Sequence, residues 1–191
     1  MRRGYFLLLT ALALPALAHP DLAHAQFAGT PWRVRPAVVI EGPANDARVP
    51  LVHAAVAHWN QMLAGIGSGF RLGRVSLGGS AGIGTIQVVL SDDEFISNAR
   101  RYADGQGAVV MMRTTRVPPL SLPNVTRNVI AHELGHAIGL PHNSNPALLM
   151  CGRPAPCRPA LFASTTARYF PLSEEEKVTL LGMYPATWKS Q

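Results

Sequence analysis

Charge is scarce in this chain: 15% of its 191 residues are Asp, Glu, Lys or Arg. With 48% hydrophobic residues that balance excludes large-scale disorder and leaves enough apolar material for one domain with a real core. Long apolar runs are missing too. The best candidate, Phe6 to Ala18, is about 13 residues interrupted by Pro15, short of the roughly 20 needed to span a bilayer, so no stable membrane anchor is expected. Cysteine is almost absent, and Cys151 and Cys157 leave room for one bridge at most. A clustered basic stripe is also lacking: Arg33, Arg35, Arg48, Arg71, Arg74, Arg100, Arg101, Arg113 and Arg116 are scattered and not interleaved with aromatics, which argues against a nucleic-acid partner.

What is present begins with an N-terminal address. Arg2 and Arg3 precede the apolar run, and Ala23-His24-Ala25 offers a small-x-small cleavage pattern. Residues 1–25 therefore read as a signal peptide cleaved near Ala25, and 26–191 as a single domain released to a secreted or periplasmic location. Cleavage removes Arg2, Arg3 and Asp21 and leaves 15 basic against 10 acidic side chains, a diffuse net charge of +5.

One segment carries chemistry: His132-Glu133-Leu134-Gly135-His136-Ala137-Ile138-Gly139-Leu140-Pro141-His142. On a helix, residues four apart share a face, so His132 and His136 can aim two ring nitrogens at one metal ion with Glu133 beside it as a general base. Gly139 permits a left-handed helix end and Pro141 forbids continuation, so the chain can turn back and deliver His142. Three imidazoles leave a fourth position open, the arrangement of a catalytic zinc and not of a closed structural site. From this composition, a chance match to the five fixed positions has a probability of roughly a few in 10⁵. Ile130, Leu134 and Ile138 fall about 180° from the two helical histidines at 100° per residue, giving the helix a core face opposite its metal face.

The other elements follow from periodicity. A first strand is expected over Trp32 to Ile40, and a helix from about Pro50 to Ala64 with a stripe of Leu51, Val52, Ala55, Val56, Trp59, Met62 and Leu63. Its His53 and His58, five apart, do not share a face and read as surface or packing residues. Phe70 to Leu77 and Thr85 to Leu90 alternate as strands around the glycine-rich turn Gly78 to Gly84, which lacks the Lys and helix context of a phosphate loop. Ser91-Asp92-Asp93-Glu94 reads as the cap of a short helix, Ser91 pairing with Glu94, more simply than as a calcium loop. Calcium is possible but unsupported. Ala108 to Met112 is a further strand that supplies or neighbours an exposed edge an extended substrate could join. The metal helix is expected to be capped by Asn124 or Thr126, and a last helix to start at Ser173 in a capping box, packing Val178, Leu180, Leu181 and Tyr184 inward.

In an exported chain Cys151 and Cys157 read as a disulfide closing a small loop, contributing about 2 kcal/mol by chain entropy. A redox-labile pair, or a Cys151 thiolate reaching the metal, are the alternatives.

The His-to-His segment resembles the metzincin clan of zinc endopeptidases, in which a methionine-bearing turn underlies the metal. That resemblance makes Met150 the turn methionine. The link His142 to Met150 and the closing Leu172 to Tyr184 look most like the matrixin branch, whereas astacin-like and serralysin-like chains carry a tyrosine where this chain has Gly152. The resemblance implies an α+β, metzincin-like (zincin) fold, a twisted mixed β-sheet with two long helices and a C-terminal helix. It is specific over about residues 126–152, moderate for the last helix and weak upstream. Cys151 stands where matrixins commonly have an aromatic residue, and the segment from Arg153 to Phe170 is long for a specificity-pocket wall. With both cysteines downstream of the motif a cysteine-switch latency is excluded, and no upstream His-x-Asp marks a second, structural zinc.

The reading is thus a monomeric secreted metalloendopeptidase with one Zn²⁺ held by His132, His136 and His142, hydrolysing a peptide or protein substrate with Glu133 as base. The rival class is a non-catalytic secreted zinc-containing module that binds a peptide or protein without cutting it. Intact Glu133 argues for the enzyme.

Overall fold

The computed structural model describes residues 29–93, 96–116, 119–152 and 167–191. The expected signal peptide, Cys157 and the Glu94 half of the Ser91 cap lie outside these residues. Eight elements follow in order: β1 (Ala37–Glu41), α1 (Val49–Gly65), β2 (Val75–Leu77), β3 (Thr85–Leu90), β4 (Asn98–Arg101), β5 (Gly107–Met112), α2 (Pro123–Ala137) and α3 (Glu174–Met183).

The strands form one sheet in the order β2-β1-β3-β5-β4, parallel except for β4, which runs antiparallel to β5. Register aligns Val38 with Ile86 and Ala108, Ile40 with Val88 and Val110, and Leu90 with Met112. All of these side chains are buried, because the period of two sends them to the one face that the helices cover. Val52, Ala55, Val56, Trp59 and Leu63 of α1 and Ile130, Leu134 and Ile138 at α2 complete this core. Trp59 also donates its indole N–H to the Ala131 carbonyl at 2.9 Å, tying α1 to the metal-motif helix.

Several expected boundaries move, each for a visible reason. β1 starts at Ala37, not Trp32, because Trp32 is drawn away to the end of α2, where its indole donates to Ala137 O at 2.9 Å. β2 shrinks to Val75–Leu77, since the Asn60 side-chain amide takes over the ladder bonds of Leu72, accepting from its N–H at 2.8 Å and donating to its carbonyl at 3.0 Å. Phe70 is instead stacked on Tyr184, with ring centroids 4.1 Å apart. β4 has no apolar alternation to announce it, and its pairing with β5 makes β5 an internal strand, so the free edge beside α2 belongs to β4.

Asn124 and Thr126 do not cap α2. The N-cap is Leu122 in an extended conformation, followed by Pro123 at the first helical position, and the Thr126 hydroxyl, inside the helix, donates to Leu120 O in the segment before it. Among the described residues no helix follows Ser91; its hydroxyl accepts from Asp93 N at 3.1 Å. The capping box of α3 forms as expected, but Val178 is 68% exposed while Leu180 and Tyr184 are buried.

Arg48 is an unforeseen structural centre. It is 3% exposed, paired with Asp46 at 2.6 Å and Asp92 at 3.2 Å, and donates to the carbonyls of Ser91, Met112 and Arg113. Arg116 is also paired to Asp92, so that carboxylate meets two guanidinium groups. Arg48→Met would remove both ion pairs and the guanidinium donor to three carbonyls, and an unfolding free energy lower by about 3–5 kcal/mol is expected in chemical denaturation. A loss under about 1 kcal/mol would refute this role.

Candidate metal centre

The three histidines converge. One ligand nitrogen from each of His132, His136 and His142 lies within 4.8 Å of the others. The Nε2 atoms of His132 and His136 are 3.0 Å apart, and those of His132 and His142 are 3.2 Å apart.

Local structure explains the convergence. α2 stops in a Schellman turn: Gly139 has φ of +109°, its N–H bonds His136 O at 2.9 Å, and Leu140 N–H bonds Gly135 O at 3.0 Å. The last carbonyls of the helix are closed by distant aromatics. Trp32 donates to Ala137 O, and the Tyr184 hydroxyl donates to Ile138 O at 2.8 Å, its pKa pushed up to about 12 by burial. With the helix end held, Pro141 turns the chain and His142 faces the helical pair.

Carbonyls behind the site orient the His132 and His136 rings. His132 Nδ1 meets Leu149 O at 2.7 Å and His136 Nδ1 meets Leu140 O at 2.7 Å. A carbonyl can only accept, so each Nδ1 carries the proton and each Nε2 presents a lone pair to the centre. Two lone pairs 3.0 Å apart repel unless a cation lies between them. A tetrahedral zinc with Zn–N of about 2.0–2.1 Å places its ligand nitrogens roughly 3.3–3.4 Å apart, close to the spacing found. The donor set therefore fits zinc. Burial, with the neighbouring imidazoles contributing, holds His132 down at about 3 and His136 at about 4, so both are neutral and ready to ligate at physiological pH.

Glu133 is 6% exposed and makes no ion pair among the described residues. Burial raises its carboxyl from 4.5 to about 8. A cation beside it would favour the charged form, which leaves a carboxylate poised between acid and base near neutrality.

Met150 is fully buried beneath α2. A Cβ on Gly135 would lie 2.5 Å from Met150 Sδ and 3.1 Å from Trp59 Cζ2, so this mid-helix glycine is the clearance that lets the sulfur pass beneath α2. Gly152 serves His142 in the same way, since a Cβ there would sit 2.1 Å from its ring Cγ. Gly152→Ala should displace the imidazole and weaken zinc binding about tenfold or more with little change in the thermal midpoint of the metal-free chain. Equal affinity, read by competition with a chromophoric chelator, would refute the contact.

His53 is exposed and His58 stacks on Tyr169 with centroids 3.9 Å apart, so neither approaches the centre. Cys157 lies outside the described residues, and its pairing with Cys151 is not described. Sequence reasoning missed Gly135 and Gly152 as clearances and Trp32 and Tyr184 as helix-end caps. A glycine inside the helical motif was the one available signal.

A scan against protein-family models finds no match, and a search of curated proteins finds none either. Among solved structures the chain is similar to metalloproteinase-II from Bacteroides fragilis, at 13% identity and a TM-score of 0.50, over 81% of this chain and 54% of that one. The chain thus spans about half the length of that protein. It also aligns with archaemetzincin from Methanopyrus kandleri at 14% identity and a TM-score of 0.42, over 79% of this chain and 96% of that one. At such identities likeness speaks for fold alone. The fold is the expected α+β one, a mixed five-stranded sheet with helices, similar to that of the Bacteroides metalloproteinase.

Proposed function

We propose that this chain is a secreted, zinc-dependent endopeptidase of the matrixin type. The observation that carries the reading is the convergence of three imidazole nitrogens at zinc spacing, with the two helical rings locked in the ligating tautomer beside a buried, unpaired Glu133. Zinc bound there would acidify a water molecule and polarise the scissile carbonyl. His132, His136 and His142 would hold the ion. Glu133 takes the proton of the attacking water and then delivers it to the leaving amine, serving first as base and then as acid. Met150 gives the site its floor without ligating.

The free edge of β4 is the element of the sheet best placed to receive an extended peptide, because it is the edge strand that packs beside α2. A substrate added there gains main-chain hydrogen bonds irrespective of sequence. Residues 1–25 act as a signal peptide in this reading, Cys151 and Cys157 form a disulfide outside the cell, and one zinc serves one monomer.

The test is a mixed peptide library incubated with the zinc-loaded protein, with and without chelator, and read by mass spectrometry. Chelator-sensitive internal cuts are expected. Their absence from a folded, zinc-loaded sample would overturn the peptidase reading in favour of a module that binds without cutting.

A further inference from the structure

The three imidazoles are not held alike. His132 and His136 stand on α2, whereas His142 is exposed and sits in the loop after Pro141. The residue after it is tied down from every side. Asn143 N–H donates to Met150 O at 2.8 Å, and Asn143 O accepts from Gly152 N–H at 3.0 Å, a parallel bridge between Asn143 and Cys151. Its side-chain Oδ1 accepts from Asn145 N–H at 2.8 Å, which fixes the amide so that Nδ2 points to Glu176 Oε1, 2.6 Å away.

Glu176 is 6% exposed and bridges two elements. Its Oε2 accepts from Ser173 N–H at 2.7 Å in the capping box of α3, which frees Oε1 for Asn143. A capping box needs only the first of these bonds. The second is a charge-assisted contact over 33 residues of sequence, and it ends one residue from a ligand.

We infer that Glu176 and Asn143 form a positioning pair through which helix α3 fixes the third metal-ligating imidazole, His142. The inference rests on the reading of the histidines as a zinc site. Neither side chain touches metal or substrate; they act by removing the loop freedom that His142 would otherwise lose on ligation.

The direction of the hydrogen bond supplies a test. Asn143→Asp alone sets carboxylate against carboxylate, and Glu176→Gln alone sets amide N–H against amide N–H. Together they reverse the bond, the carboxylate now at 143 and the amide at 176, with the net charge unchanged. Zinc affinity of the full chain is measured by chelator competition, and the thermal midpoint of each metal-free form is recorded beside it. Both single variants should bind zinc about tenfold or more weakly, and the double variant should return to within about threefold of the parent. A charge effect alone would tighten binding in Asn143→Asp and weaken it in Glu176→Gln, and that pattern overturns the inference. So do single variants within about threefold of the parent, or a double variant that does not recover. Should the singles fail to fold, the double variant decides by the same criterion. A parent chain that binds no zinc overturns the zinc-site reading and this pair with it, whereas small effects in a zinc-binding parent overturn the pair alone.

Discussion

Glu133→Gln is expected to lower kcat/KM by about 10²- to 10⁴-fold while zinc remains bound. Gln has nearly the same shape and helix preference, and Glu133 is not one of the three converging ligand residues, so the change removes a proton acceptor and little else. Peptide hydrolysis and zinc content measured on the same sample separate the outcomes. Hydrolysis within a few-fold of the parent would sink Glu133 as the base, and loss of zinc would mean that the carboxylate helps hold the metal.

The same substitution has a second signature in the metal-free chain. Burial raises the Glu133 carboxyl from 4.5 to about 8, so between those values the folded state keeps a proton that the unfolded state has released. Stability contributed by the neutral carboxyl is fully present below 4.5 and is lost as pH rises through 8, with a slope of up to about 1.4 kcal/mol per pH unit. Glu133→Gln should remove this alkaline decline. Urea midpoints of the metal-free parent and variant between pH 6.5 and 8 measure it, and parallel profiles would contradict a desolvated carboxyl.

The convergence of the histidines was legible in the sequence because a helix converts spacing into geometry. His132 and His136 lie one turn apart wherever that helix forms, and Ile130, Leu134 and Ile138 on the opposite side are all buried. Gly139 and Pro141 stated the turn, and the Schellman bonds are its local consequence. Other features depend on partners far along the chain. Trp32 reaches Ala137 across 105 residues, Tyr184 reaches Ile138 across 46, and Arg48 collects carbonyls about 43 to 65 residues away. No periodicity encodes such contacts. β4 was invisible for a related reason: Asn98-Ala99-Arg100-Arg101 has little intrinsic strand preference, and backbone pairing to β5 decides its conformation. The caps of α2 failed because Asn124 and Thr126 lie one or more residues inside a helix that Pro123 starts without a side-chain cap. The capping box that starts α3 at Ser173 was read correctly, yet the bond from Glu176 to Asn143 follows only from how α3 docks.

The metal-free protein should be acid-sensitive in a window set by its buried histidines. Burial holds His132 at about 3 and His136 at about 4, against an ordinary 6.5. Between those limits the unfolded chain takes up protons that the folded chain refuses, so the stability these residues contribute is present above 6.5 and is lost as pH falls toward their folded values. Two such groups give up to about 2.7 kcal/mol per pH unit. Glu133 opposes them above 4.5, which halves the net slope between 4.5 and 6.5 and reverses it above 6.5. Metal-free stability should therefore be greatest near pH 6.5 and fall on both sides. Zinc acts by mass action on the folded state alone, adding about 4 kcal/mol when free zinc exceeds its dissociation constant a thousandfold. Because His132 and His136 are already neutral in the folded chain, protons compete with zinc little at these two rings until the pH approaches 4. Zinc release followed by a chromophoric chelator should thus have its midpoint well below 6.5. A midpoint at or above 6.5 would show that the rings are not held neutral before the metal arrives, and the preorganisation inferred from the Leu149 and Leu140 carbonyls would fall with it.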